Sequence, residues 1–389
     1  MPFNQYYFKC RPRFLLGIWT LVMVVMVLSA CSGPVLSTAV PISVTPAASF
    51  TAPPLPLTVT HTPPTPTATI TASPTSQPTS TPTALPLAAF QTQLPAAVVA
   101  QSYLSDACQL LNLRWDPQNS LPGTIVVPVM FHSIAKTGRP ITDDSTISEE
   151  YYFRFIERAH QLGFKTITSA QLVDFLQKNA KIPAQSLLMI VDDRKRAEYF
   201  TKYFFPYLEK YSWTVTNAWI SHPDTPAYLW KENEGLIPSG LVDFQAHGVI
   251  HNTPIEEGLP EDFVRNEIFG PLQPMEQHFG KRPIAFIWPR GLFTPHAVNL
   301  AREAGYQIGF TAYPRGPLLF NWIPLGVDEQ KANDPVMVLP RYWDTTAISA
   351  LDEALQIQQA AQSFFTRQRL VELSYYRQYC SNYPKLPEP

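Results

Sequence analysis

Two adjacent carboxylates, Asp192 and Asp193, close an uninterrupted apolar run, Leu187-Leu188-Met189-Ile190-Val191. Further along, His247 and His251 lie four residues apart behind a second short apolar stretch. A carboxylate can take a proton from water or ligate a cation, and two imidazoles at this spacing can converge on one ion. Adjacent side chains of a strand point to opposite faces, so Asp192 and Asp193 share one place but not one direction. One could bind a metal while the other works beside it.

Such residues need a scaffold that brings them together. Five apolar residues in a row read as a buried strand of a parallel sheet. Comparable strands are expected at 124–132, ending in His132, and at 164–168, 213–220, 242–246, 284–288, 306–311 and 336–339. Helical patterns separate them: one starting at Ser148-Glu149-Glu150, one capped by Ser169, one from Tyr199 to Tyr211 and one from Glu261 to Phe279. Alternation of this kind calls for parallel pairing. About seven such units over roughly 230 residues fit an α/β fold, a distorted (β/α) barrel, better than a small doubly wound sheet. Asp192, Asp193, His132, His247, His251, Arg290 and Arg341 all follow strands on this reading and would share one rim.

The rest of the 389-residue chain is of another kind. Lys9, Arg11 and Arg13 precede an uncharged apolar run, which ends in Leu28-Ser29-Ala30-Cys31. This is the form of an export signal, and its ending resembles a bacterial lipobox, in which Cys31 becomes a lipidated N-terminus. Most of the early members of the chain's 40 prolines fall in a Pro/Thr-rich tract before residue 96. That composition favours an extended, disordered stalk. The expected organisation is a signal at 1–31, a linker at 32–95, a helical lead-in at 96–121, the barrel at 122–348 and a C-terminal helix and tail at 349–389. The lead-in rests on helical spacing over 94–113. A formal net charge of −2 gives no electrostatic pull toward nucleic acid. Of the four cysteines, Cys10 would leave with the signal, while Cys108 and Cys380 could pair in an oxidising compartment or stay apart as thiols.

Order and spacing of these stretches resemble the NodB-homology domain of polysaccharide deacetylases, carbohydrate esterase family 4, and within it the poly-N-acetylglucosamine deacetylase branch. The likeness spans residues 122–345. It rests on Val127-Pro128-Val129-Met130-Phe131-His132, Ile190-Val191-Asp192-Asp193, Ala246-His247-Gly248-Val249-Ile250-His251, Ala285-Phe286-Ile287-Trp288-Pro289-Arg290-Gly291 and Leu339-Pro340-Arg341. The resemblance implies a hydrolase that removes N-acetyl groups from a glycan, peptidoglycan or an exopolysaccharide. It implies a divalent metal, zinc first, held by Asp193, His247 and His251. Asp192 would be the general base on the metal-bound water, with Arg290 or Arg341 orienting it.

This chain also departs from the pattern. The glycine after the acid pair is Arg194, which could pair with Asp192 or Asp193 and weaken the base, or point to solvent. No Leu-x-His motif closes the domain, so His132 stands as the candidate acid by position and His296 as a weaker one. Trp288, Trp322 and Trp343 read as core residues before sugar platforms. The alternative expectation is a catalytically impaired, envelope-anchored lipoprotein that binds glycan or has a structural role.

Overall fold

The computed structural model describes residues 94–386. The expected signal, Cys31 and nearly all of the stalk lie outside them. The described residues fall within one compact unit, Ser76–Pro389.

Seven parallel strands form its centre: β1 (Ile125–Phe131), β2 (Gln185–Val191), β3 (Val215–Trp219), β4 (Val242–Ala246), β5 (Ala285–Ile287), β6 (Ile308–Phe310) and β7 (Tyr342–Trp343). They pair in the order β6-β5-β4-β3-β2-β1-β7, and all these pairings are parallel. Every residue of β1, β3, β4, β5 and β6 is buried, as a sheet covered on both faces requires. The sheet curls into a half-barrel. The segment before β7 closes it: Leu339 bridges Phe310 of β6, and three residues later Tyr342 pairs with Val129 of β1.

Pro128 sits inside β1 without breaking it. On one side β1 pairs continuously with β2. On the other, Leu318–Leu319 pairs at Ile125 and Val126, and β7 pairs at Val129 and Met130. The missing N–H therefore falls where that edge has no partner.

Several local expectations need correction. The lead-in is not one helix: Val99–Gln101 is a strand antiparallel to Ile323–Leu325, and only Ala107–Trp115 is helical. The helix expected over Glu261–Phe279 is two, Glu261–Phe269 and Leu272–Phe279, split at Gly270-Pro271 because proline cannot donate in a helix interior. Residues 336–339 are not a strand; they form the turn Pro335–Met337 and the single bridge at Leu339. Residues 164–168 contribute only Lys165–Thr166.

The C-terminal helix, Ala347–Tyr379, packs along β1 and the helix Glu149–Gln161. Its far end is fastened to Ala107–Trp115. Cys108 and Cys380 form a disulfide there, and Arg114 grips both oxygens of Glu372 at 3.0 Å inside the contact. Among the described residues no helix is long and apolar enough to cross a membrane.

Candidate active site

The ends of β1, β2 and β4 and the start of β7 place the expected residues on one rim. Asp192 follows β2 directly, and its N–H donates to Phe131 O at 2.8 Å, which fixes it beside the end of β1. Its carboxylate is 2 % exposed. Arg341 Nη1 donates to Oδ1 at 2.6 Å, and Arg341 Nε donates to Thr311 O at 2.8 Å, so the guanidinium is held from both sides. Oδ2 faces two imidazoles, His132 Nε2 at 3.6 Å and His247 Nε2 at 4.0 Å. Burial alone would raise the Asp192 pKa. The Arg341 guanidinium, with His247 and His132 behind it, outweighs burial and holds the carboxyl at about 2.

Asp193 adopts the left-handed region, φ +68°, uncommon for a residue other than glycine. The chain thus turns sharply between the two acids. Asp192 points inward to Arg341, and Asp193 outward to His251 Nε2 at 3.2 Å and Lys195 Nζ at 3.4 Å. Arg194 contacts neither acid; its guanidinium donates to the Thr225 hydroxyl. Of the two open readings for that departure, neither a paired nor a fully solvated Arg194 is found.

His247 is buried, and its Nδ1 lies 2.7 Å from Ile287 O. A carbonyl only accepts, so Nδ1 carries a proton, and in the neutral ring Nε2 is the nitrogen with the lone pair. His132 stacks on the half-buried Trp343, 5.4 Å between centroids, while its Nδ1 is buried with no hydrogen-bond partner. Burial holds the His132 pKa below the usual imidazole value, against the pull of Asp192. Beneath it lies Asp344, fully buried, whose carboxyl accepts the N–H groups of His132 at 3.3 Å and Thr345 at 2.9 Å. Burial pushes Asp344 up to about 7.

The donor chemistry for a metal is present in parts. The lone pair on His247 Nε2 is what a ligand needs. The 3.2 Å between His251 Nε2 and Asp193 Oδ1 is near the roughly 3.4 Å edge of a tetrahedron with bonds of about 2.1 Å. The parts are not assembled. His247 stands against Asp192 rather than Asp193, and among the described residues no group of three or more His, Cys, Asp or Glu could hold a metal ion. Of the expected set of Asp193, His247 and His251, Asp193 and His251 stand at ligand spacing, and His247 faces Asp192. Asp193 has φ +68° and pairs with Lys195, and His247 faces Asp192, so no reaction step is assigned to a metal.

The two candidate orienting arginines also separate. Arg341 reaches Asp192; Arg290 is exposed at φ +56° and makes no hydrogen bond or ion pair among the described residues. His296 pairs with Glu261 on exposed helices, away from the Asp192 cluster. Trp288 and Trp322 are buried in the core. The residues that sequence reasoning missed are Lys195, Asp344 and Glu267. Lys195 had a signal, as a cation two residues past the acid pair. The other two read as ordinary acids, Asp344 ahead of a helix and Glu267 within one.

Comparison with known proteins bears on the same stretch. Residues 179–309 match the family described as polysaccharide deacetylase. No curated protein matches the chain. Among solved structures, the chain is similar to a Streptococcus pyogenes deacetylase in complex with acetate at 15 % identity, covering 60 % of this chain and 98 % of that one, TM-score 0.47. It is similar to IcaB from Ammonifex degensii at 17 % identity, covering 61 % and 99 %, TM-score 0.43. A family 4 acetyl xylan esterase from Clostridium thermocellum, in complex with a cobalt ion, is similar at 16 % identity, covering 46 % and 90 %, TM-score 0.28. The match covers about a third of the chain, and Asp192, Asp193, His247 and His251 all lie within it.

Proposed function

We propose that the chain is an envelope-anchored deacetylase of N-acetylated polysaccharide, peptidoglycan or an exopolysaccharide. The observation that carries this is Asp192, pinned through Oδ1 by Arg341 with Oδ2 turned to His132 and His247. Hydrolysis of an N-acetyl amide needs water to lose a proton as it adds to the carbonyl, and the amine to gain one as it leaves. Oδ2 of Asp192 is the oxygen left to receive the first proton. It does not keep it: with the carboxyl held at about 2, storing a proton there at pH 7 costs about 7 kcal/mol. His132 Nε2, 3.6 Å away, is the group that carries the proton on to the leaving nitrogen. His247, with Nδ1 donating to Ile287 O, lines the opposite side of the same oxygen.

The anchoring is part of the proposal. The signal, Cys31 and the proline-rich stalk support a protein tethered to the cell membrane by lipid and reaching outward. The Cys108–Cys380 disulfide supports an oxidising compartment. The divalent metal implied by the resemblance is tested rather than assumed.

A second reading, a glycan-binding lipoprotein without catalysis, is favoured by one observation: the expected three-donor centre is not assembled. One experiment separates the two. The exported protein is assayed for acetate release from chitooligosaccharides and peptidoglycan beside Asp192→Asn, with bound metal counted by elemental analysis. Acetate release lost in Asp192→Asn supports the hydrolase. Absence of release from both glycans, with glycan still retained in a pull-down, overturns it in favour of the binding reading. Stoichiometric metal in the active protein would restore a metal centre that must then form by rearrangement of Asp193 and His247.

A further inference from the structure

Glu267 is a carboxylate with no exposed surface, on the helix Glu261–Phe269 behind the loop that carries the two histidines. Burying a charge is costly unless it is well bonded. Here a single oxygen is bonded: Oε2 accepts the N–H of Val249 at 2.8 Å and of Ile250 at 3.2 Å, while Oε1 is buried with no hydrogen-bond partner. No lysine or arginine forms an ion pair with it among the described residues. A residue placed only for stability would be simpler as an apolar side chain.

The geometry around it is tight. Gly248 has φ +76°, and a Cβ there would stand 2.6 Å from Glu267 Oε2 and 3.2 Å from Pro289 Cγ. Only glycine lets the loop sink onto this carboxylate. Where the helix ends, a Cβ at Gly270 would meet Val249 Cγ2 at 2.6 Å. Gly248 O accepts the Ser221 N–H at 3.0 Å, and the His247 N–H donates to Trp219 O at 2.9 Å. The first histidine is thus fixed to the sheet by its own backbone. The three residues leading to the second are fixed by Ser221 and by Glu267.

We propose that Glu267 is a positioning residue of the site: by taking the amides of Val249 and Ile250, it sets where His251 and its partner Asp193 stand relative to His247 and Asp192. It touches no reacting atom. Its effect on turnover rests on the deacetylase reading above; its effect on the loop does not.

The test compares Glu267→Met, which keeps the volume and removes the acceptor, with Glu267→Gln, which keeps one acceptor oxygen. Amide hydrogen exchange reads the loop directly. In Glu267→Met, Val249 and Ile250 should exchange at least ~30-fold faster while Trp219 and Ala246 do not change, since only local opening is eased. Acetate release should lose about 10-fold or more in kcat with KM within about twofold, because the catalytic groups and not the glycan contacts are displaced. Glu267→Gln should recover most of both. A purely structural role would lower the melting temperature and leave kcat of the folded protein unchanged, and that result overturns the proposal. So does unchanged exchange at Val249 and Ile250. If the wild type releases no acetate, the exchange result alone decides about Glu267, separately from the deacetylase reading. If Glu267→Met does not fold, Gly248→Ala presses on the same contact from the loop side and should give the same exchange pattern; its absence there counts equally against the proposal.

Discussion

Asp344 makes this domain's stability depend on pH in a way one substitution should erase. Its carboxyl is fully buried beneath His132, and burial raises its pKa from 3.8 to about 7, with the nearby Asp192 charge adding to the rise. In the unfolded chain it ionises near its ordinary value. Between about pH 4 and pH 7 the unfolded state has lost this proton and the folded state still holds it, so stability falls as pH rises through that window. Below pH 4 both states are protonated and the full contribution is present; above pH 7 it is gone. A gap of roughly three pH units corresponds to about 4 kcal/mol at most. Asp344→Asn cannot ionise. It keeps one acceptor for the His132 and Thr345 amides and loses the other, a pH-independent cost of about 1 kcal/mol. Urea unfolding at pH 5 and pH 8 should therefore show the wild type losing stability relative to the variant as pH rises, with the variant clearly the more stable at pH 8. The difference between the two proteins should swing by about 2 kcal/mol or more, half or more of the upper limit. All other titrating groups are common to both proteins and cancel. A difference that stays constant from pH 5 to pH 8 would refute a protonated Asp344 in the folded state.

Arg341→Met should leave the Asp192 carboxylate buried without its cation, costing about 3–5 kcal/mol by denaturation and abolishing acetate release. Arg290→Ala, at an exposed position without partners, should change stability by less than about 0.5 kcal/mol in the same measurement. The Cys108–Cys380 bond closes a loop across a separation of 272 residues; by the chain-entropy relation its removal as a Cys108→Ser, Cys380→Ser pair should cost about 5.6 kcal/mol in urea unfolding under oxidising conditions. The same pair should leave kcat unchanged at temperatures where the domain stays folded, because the bond fastens the two terminal helices and no element of the rim.

The parts of this molecule that were legible in the sequence are those where a local pattern and its consequence coincide. Leu187 to Val191 is apolar throughout because both faces of β2 are covered, and the acids begin where the strand leaves the core. The same logic put His132 and His247 behind strands, whereas Arg341 precedes β7 and meets Asp192 across 149 residues of sequence. What was hidden depends on contacts that leave no periodic trace. Residues 336–339 have strand composition, yet Pro335 and Pro340 flank them, and they serve as the short link that closes the half-barrel through one bridge. The resemblance implies Asp193 beside His247 and His251, but no sequence pattern reveals its left-handed φ or its contact with Lys195 beside that with His251. Asp344 and Glu267 carry the same letters as any surface acid at a helix start or face. Backbone amides bind both, from residues next to them in the fold. A chain can place an acid where only amides meet it, and only the assembled fold distinguishes that acid from one in water. The site is therefore readable in its strand-end residues and unreadable in the buried acids that hold those residues in place.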